Sequence, residues 1–218
     1  MNPARKRVLC YVTDRRALEV RDAGQAAEAM IEIAARAAAA GTDWIELREK
    51  DLSARALFDL TAQIVARCPS ARVLVNDRLD VALAAGAAGI HLTGEGLPVE
   101  AVRSWVCNRA GQSFLIGRSC HSIEEARAAE RDGADYVFFG PVYATPSKLA
   151  YGPPQGIERL AEVCRALEIP VIAIGGVTPE NARQCVGAGA RGVAAIRSFQ
   201  EPGDMAARVA ALRNAISG

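Results

Sequence analysis

The sequence predicts an α/β protein, and within that class a single (β/α)8 TIM barrel over residues 1–218. Two observations carry the prediction. Eight short apolar runs alternate with helical stretches along the whole chain, and strict β-α alternation makes a parallel sheet. A punctuated unit also recurs, in which an alanine- and glycine-rich helix end leads into an apolar run. It reads Ala40-Gly41-Thr42-Asp43-Trp44-Ile45, Ala85-Gly86-Ala87-Ala88-Gly89-Ile90, Asp132-Gly133-Ala134-Asp135-Tyr136-Val137 and Ala188-Gly189-Ala190-Arg191-Gly192-Val193. The leading glycines stand about 45, 47 and 56 residues apart, which is an internal repeat. Eight βα units in this length favour closure. The alternative, an open doubly wound sheet, lacks a G-x-G-x-x-G after the first strand.

Each element follows in order. The first strand is the run 8–12, and a helical pattern covers 25–40. Gly41 suits the left-handed position just past that helix, and the run after it is strand 2. Ser53 caps a helix over 54–67. Strand 3 is 72–75, a short helix covers 80–85, and strand 4 follows Gly89. A helix over 98–108 precedes strand 5 at 114–117. Ser122 caps a helix over 123–132, with Glu124 and Glu125 in a first turn that favours acids. Strand 6 follows Gly133, and after a long loop a helix covers 157–167. Strand 7 is 171–174. Thr178-Pro179-Glu180 places proline at the start of a helix over 179–186. Strand 8 follows Gly192, and a helix over 203–216 closes the chain. Runs of four to six apolar residues suit strands buried on both faces.

Composition narrows the function. There are 26 Lys and Arg against 25 Asp and Glu, so no basic excess points to nucleic acid or an acidic membrane. Six cysteines lack C-x-x-C spacing and only two histidines exist, which argues against structural zinc and for reduced thiols. No signal peptide or membrane span is visible, so a soluble, cytoplasmic protein is expected. No linker suggests a second domain. Oligomeric state is left open, a homo-oligomer included.

In such barrels the chemistry sits where strands give way to the following loops. Those positions are polar here: Thr13-Asp14-Arg15, Arg48-Glu49-Lys50-Asp51, Asn76-Asp77-Arg78 and His91-Leu92-Thr93-Gly94-Glu95 after strands 1 to 4. Ser119-Cys120-His121-Ser122, the loop from Gly140 to Lys148, Gly175-Gly176 and Arg197-Ser198 follow strands 5 to 8. Gly175 and Gly176 let backbone N–H groups approach an anion. Arg48 and Lys50 add fixed positive charge, and Lys148 stands in a loop able to close over phosphates. Asp77 suits a magnesium ion, which takes a few carboxylates plus phosphate oxygens. His121 is the candidate proton-transfer group. Glu49 and Asp51 read as structural partners of nearby basic groups, and His91 as a structural hydrogen-bonding residue. Cys120 beside His121 suggests a nucleophile pair only weakly, since adjacent residues need not face each other.

These segments resemble one superfamily, that of thiamin-phosphate synthase and thiazole tautomerase. The resemblance rests on Tyr11-Val12-Thr13-Asp14, Leu47-Arg48-Glu49-Lys50-Asp51, Val75-Asn76-Asp77-Arg78-Leu79-Asp80, Gly89-Ile90-His91-Leu92, Gly117-Arg118-Ser119-Cys120-His121-Ser122, Phe139-Gly140-Pro141-Val142-Tyr143-Ala144-Thr145-Pro146-Ser147-Lys148 and Ile174-Gly175-Gly176-Val177-Thr178-Pro179-Glu180-Asn181. It spans nearly the whole chain in order. The resemblance implies a transferase that joins a pyrimidine methyl diphosphate to a thiazole phosphate and releases diphosphate. It implies that Arg48, Lys50, Asn76 and Lys148 hold the diphosphate, with Ser119 nearby and magnesium on Asp77. Thr145, Ser147, Gly175, Gly176 and the end of strand 8, Arg197 and Ser198, would take the thiazole phosphate.

Three positions depart from the synthase pattern. The pattern after strand 4 reads roughly His-Leu-Gly-Gln-Glu-Asp, its Asp a second metal ligand, whereas Gly96 stands at that place here. Metal binding then falls to Asp77 with Glu95. The Gln two residues before the strand 2 Arg, near the pyrimidine, is Glu46, and a small Ser at the end of strand 8 is Arg197. The tautomerase branch carries Gly-Arg-Ser-x-His-Ser with a catalytic His, which Gly117 to Ser122 matches. That branch tends to lack the Lys and Asp that stand here as Lys50 and Asp77, so the synthase is the leading expectation. An isomerase using His121, or a non-catalytic binder of phosphorylated thiamin precursors, is the alternative.

Overall fold

The computed structural model describes residues 6–18, 20, 22–107, 114–145 and 153–217. Eight strands close in chain order: β1 (Val8–Val12), β2 (Trp44–Leu47), β3 (Arg72–Asn76), β4 (Gly89–Leu92), β5 (Leu115–Cys120), β6 (Tyr136–Phe139), β7 (Val171–Ile174) and β8 (Gly192–Ala195). Every neighbouring pair is parallel, and β8 closes on β1 through Val8↔Gly192 to Tyr11↔Ala195. The chain is therefore a (β/α)8 barrel, as the alternation predicts.

Between and after the strands run α1 (Ala23–Ala39), α2 (Ala54–Arg67), α3 (Leu79–Ala84), α4 (Val99–Cys107), α5 (Ile123–Arg131), α6 (Gly156–Ala166), α7 (Ala182–Gly187), α8 (Arg197–Gln200) and α9 (Met205–Ser217). The expected caps form: Ser53 accepts from the Ala56 N–H and Ser122 from the Glu125 N–H. Several elements differ from expectation, β5 among them, which runs on to Cys120 instead of ending at 117. The helix expected at Pro179 begins at Ala182, because the Asn181 side chain holds the preceding residues as a turn. The four-residue α8 and a 3-10 turn at Arg15–Ala17 are too short to carry an apolar period.

Strand alternation sorts the core into two layers. One face of each strand packs on the helices: Leu9 and Tyr11, Ile45 and Leu47, Val73 and Val75, Ile90 and Leu92, Val137 and Phe139. The other face fills the barrel with Cys10, Val12, Leu74, Tyr136, Phe138, Ile172 and Ala194. By the same period of two, Glu46, Asn76, His91 and Ser119 point inward at the C-terminal ends of β2 to β5. The inward residues of β7 and β8 stay apolar along their length. No helix among the described residues is long and apolar enough to cross a membrane.

Candidate active site

The C-terminal mouth has a polar arc over β2 to β5. Glu49, at the end of β2, is 4% exposed. Its carboxylate accepts from Thr13 Oγ1 at 2.7 Å and from Arg15 Nη1 at 3.0 Å, while Arg15 also grips Asp51 at 2.5 Å. Thr13 Oγ1 in turn accepts from the Arg48 N–H. The two acids are thus spent on Arg15 and Arg16, and they fix the backbone from which Arg48 and Lys50 project. Neither Arg48 nor Lys50 is in an ion pair among the described residues.

Asp77 is the one non-glycine residue with positive φ, +56°, among the described residues. The Arg78 N–H donates to the Asn76 carbonyl, so Asp77 is the apex of a three-residue turn. A left-handed residue costs energy that the surroundings must offset, and such residues cluster at functional sites. Here the carboxylate itself does part of the offsetting. Oδ1 accepts from the Thr93 N–H at 2.8 Å, and Oδ2 accepts from Thr93 Oγ1 at 2.7 Å and from Asn76 Nδ2 at 2.8 Å. Gly96 lies against it, and a Cβ there would fall 2.3 Å from Asp77 Oδ1. A side chain at 96 is therefore incompatible with this placement of Asp77. Thr93 is the residue that sequence reasoning passed over, since its tie to Asp77 crosses from β4 to β3.

Lys50, Asn76, Asp77, Thr93, Glu95 and Gly96 line one cavity of about 300 Å³. Beneath it stand two buried groups. Glu46 is 2% exposed, and its Oε2 has no hydrogen-bond partner. Burial pushes its carboxyl up to about 8, against the pull of Arg48. His91 is 1% exposed, and burial pulls its imidazole down to about 3, so it is neutral. Its Nε2 lies 2.8 Å from Ser119 Oγ and its Nδ1 3.1 Å from Tyr136 Oη.

No group of three or more His, Cys, Asp or Glu able to hold a metal exists among the described residues. Magnesium asks for less: one or two carboxylates, with water and substrate phosphates completing the shell. The cavity supplies hard oxygens of that kind. Asn76 Oδ1 is buried without a partner, Asp77 retains acceptor capacity beside its three bonds, and Glu95 is exposed on the rim. The donor set fits a substrate-completed magnesium ion.

His121 stands just past β5, and its Nδ1 donates to the Gly140 carbonyl at 2.5 Å. A carbonyl can only accept, so a neutral ring there keeps its lone pair on Nε2. Cys120 faces the helical layer, and burial pushes its thiol up to about 12, which removes it as a nucleophile.

The other side of the mouth is built from backbone. Gly175 and Gly176 have φ +94° and +67°, and Cβ atoms there would fall 2.6 Å from Pro141 Cα and 2.7 Å from Tyr143 Cβ. Asn181 pins the turn: its Nδ2 donates to the Gly176 carbonyl, and its Oδ1 accepts from the Thr178 N–H. After β8 the chain turns at once into α8, which places Arg197 exposed and Ser198 buried, with its hydroxyl on the Val177 carbonyl at 3.3 Å. The loop after β7 together with a short helix after β8 is a recurrent phosphate site of such barrels. Thr145, in the loop after β6, is half-buried. Ser147 and Lys148 lie outside the described residues.

Residues 10–199 match the family model described as "Thiamine monophosphate synthase". A putative thiamine-phosphate synthase of Geobacter sulfurreducens is 43% identical over 94% of this chain and 92% of its own length. The thiamine-phosphate synthase of Roseiflexus castenholzii is 40% identical over 89% and 81%. Among solved structures, a thiamine phosphate pyrophosphorylase of Pyrococcus furiosus superposes with a TM-score of 0.83 at 30% identity, covering 99% of this chain and 98% of its own. A 3-hexulose-6-phosphate synthase, at 20% identity and a TM-score of 0.71, shares the fold.

Proposed function

This chain belongs to the thiamine monophosphate synthase family, and we propose that its barrel mouth joins 4-amino-5-hydroxymethyl-2-methylpyrimidine diphosphate to thiazole phosphate, releasing diphosphate. It is a transferase. The observation that carries the site assignment is one cavity that gathers Lys50, Asn76, Asp77 and Glu95 at the ends of adjacent strands.

In this reading the C–O bond to the diphosphate breaks with its electron pair leaving on oxygen, and the thiazole nitrogen then captures the pyrimidine methyl carbon. The protein's task is to stabilise the departing charge, which fixed cations do in a site that shuts out water. Arg48 and Lys50 supply two such cations, held in place by the Thr13–Glu49–Arg15 scaffold. Lys148 supplies a third from the loop after β6. Asn76, Asp77 and Glu95 would hold magnesium, which when bound would neutralise charge on the diphosphate. Glu46, neutral near pH 7, faces the ring of the pyrimidine as both donor and acceptor. Gly175, Gly176, Thr145, Ser147 and the α8 residues Arg197 and Ser198 take the thiazole phosphate, the helix with its N–H groups.

The test is a product assay with both substrates and magnesium, beside a metal-free control. Magnesium-dependent thiamin phosphate is expected, and Lys148→Ala or Asp77→Ala should abolish it while the chain stays folded. Wild-type turnover in both variants would sink the site assignment. One observation favours a second reading, an isomerase acting on a thiazole phosphate carboxylate: His121 Nδ1 is held by the Gly140 carbonyl, which leaves its Nε2 side for proton transfer. That reading expects metal-independent activity that His121→Ala removes.

A further inference from the structure

Ser119 does not meet the mouth alone. Behind it His91 is wedged against Phe138, ring centroids 4.3 Å apart, and behind His91 stands Tyr136. Tyr136 is 1% exposed, and His91 is its one hydrogen-bond partner among the described residues. Space for the phenol comes from Gly117, its register partner on β5, where a Cβ would fall 2.1 Å from Tyr136 Cζ and 2.4 Å from Oη. The barrel gives up a side chain on one strand to bring this hydroxyl to the imidazole.

A neutral imidazole has one N–H and one lone pair, so the chain Tyr136–His91–Ser119 has two polarities. In one, Nδ1 donates to Tyr136 Oη and Ser119 donates to Nε2. The buried Tyr136 proton then has no acceptor, which costs its full desolvation. In the other, Tyr136 donates to Nδ1 and the Nε2–H donates to Ser119 Oγ. Every buried proton is then partnered, and the proton of the half-exposed Ser119 is left to face the mouth. Only the second polarity satisfies all the buried groups.

We infer that Tyr136 and His91 are positioning residues: a buried Tyr136→His91→Ser119 relay that fixes the Ser119 hydroxyl as a hydrogen-bond donor to an anionic group in the mouth. The anion is the diphosphate if the proposed function holds, and that part rests on it. A hydroxyl whose proton is left for the mouth serves phosphate oxygens, which can only accept. Polarisation along the chain strengthens the last donor.

Two measurements on the full-length chain test this. Long-range ¹H–¹⁵N correlation should show His91 as the Nε2–H tautomer with a bare Nδ1. An Nδ1–H tautomer would overturn the relay. Binding of inorganic diphosphate with magnesium should then weaken about tenfold in both Ser119→Ala and Tyr136→Phe, the scale of one hydrogen bond to a charged group. Tyr136→Phe keeps the ring over Gly117, and in the Ser119→Ala background it should cost nothing further. Additive losses would mean that Tyr136 acts through packing, and would overturn the inference. Absence of thiamin phosphate from a chain that shows the coupled loss would sink the synthase reading and leave this one standing.

Discussion

The two sides of the barrel mouth are made of different material. From β2 to β5 the inward ends are side-chain chemistry: Glu46, Asn76, His91 and Ser119, with Asp77 and Thr93 tied above them. From β7 to β8 the inward residues are apolar, and the polar surface is backbone shaped by Gly175, Gly176 and α8. The difference teaches how each side should fail. A side-chain site loses one interaction at a time, and its neighbours still hold the fold. A backbone site has no single interaction to lose, since any added atom displaces the chain that makes it.

The largest effect is therefore expected on the backbone side. In Gly176→Ala the new Cβ meets Tyr143 Cβ at 2.7 Å and the Ala144 carbonyl at 2.8 Å, at a φ that alanine disfavours. Strain and overpacking together should cost about 4 kcal/mol. Chemical denaturation would read this, and the affinity for thiazole phosphate should fall with it. A loss under about 1 kcal/mol would mean that the turn is plastic and that the contrast between the two sides is wrong.

Glu46 and His91 test the side-chain arc through pH. The Glu46 carboxyl is raised from 4.5 to about 8 in the fold, so its unfolded form ionises first. The stability its neutral form contributes is complete below about 4.5 and lost as pH rises to about 8. His91 is lowered from 6.5 to about 3, so the unfolded chain gains its proton first. Its contribution is complete above about 6.5 and lost as pH falls to about 3. The two slopes oppose each other between 4.5 and 6.5, which should leave a plateau there with falls on either side. Glu46→Gln removes one slope. It should match the wild type near pH 4 and be clearly more stable above pH 8, where the wild type must keep a buried carboxylate. Equal stability at pH 8.5 would show that Glu46 ionises without cost and that water reaches it.

Much of this is legible in the residues themselves. The β1 and β7 bounds and the whole of α2 coincide with the apolar and helical patterns, because period and caps are local. The gathering of Lys50, Asn76, Asp77 and Glu95 also followed from one rule, that strand ends share a face. What was illegible depends on register. That Gly117 stands opposite Tyr136, and so admits the phenol to His91, needs the β5–β6 pairing. That Thr93 reaches Asp77 needs both the β3–β4 pairing and a left-handed backbone at Asp77, and no pattern of residue types announces either. The helix expected from Pro179 started late because Asn181, three residues beyond Thr178, bonds back to the chain before it.

Thr93 gives a smaller test on the same arc. Thr93→Val keeps the shape and removes the Oγ1 bond to Asp77 Oδ2, a bond to a charged acceptor. Its loss should cost about 2 kcal/mol. The Thr93 N–H still holds Oδ1, so Asp77 should remain in its turn, and product formation should fall by much less than in Asp77→Ala. Turnover lost as fully as in Asp77→Ala would mean that the hydroxyl, and not the backbone bond, sets the carboxylate.

The smallest effect is expected where the arc is held from outside. Arg15 joins the mostly buried Glu49 to the exposed Asp51, and Arg16 adds a second, solvent-screened contact to Asp51. Removing Arg15 as Arg15→Met keeps the aliphatic stem and deletes the charge, but Thr13 Oγ1 and the residue 15 N–H still satisfy Glu49. The cost should be about 1 kcal/mol, and Arg16→Ala should fall within about 0.5 kcal/mol of the wild type. The two variants separate a charge that positions Arg48 and Lys50 from one that only decorates them. Arg15→Met should raise the KM for the diphosphate substrate, because the backbone carrying both cations loosens, while Arg16→Ala should leave it unchanged. Equal kinetics in the two would show that the Thr13–Glu49 bond alone holds that backbone, and that the scaffold of the arc begins one residue deeper than the ion pairs suggest.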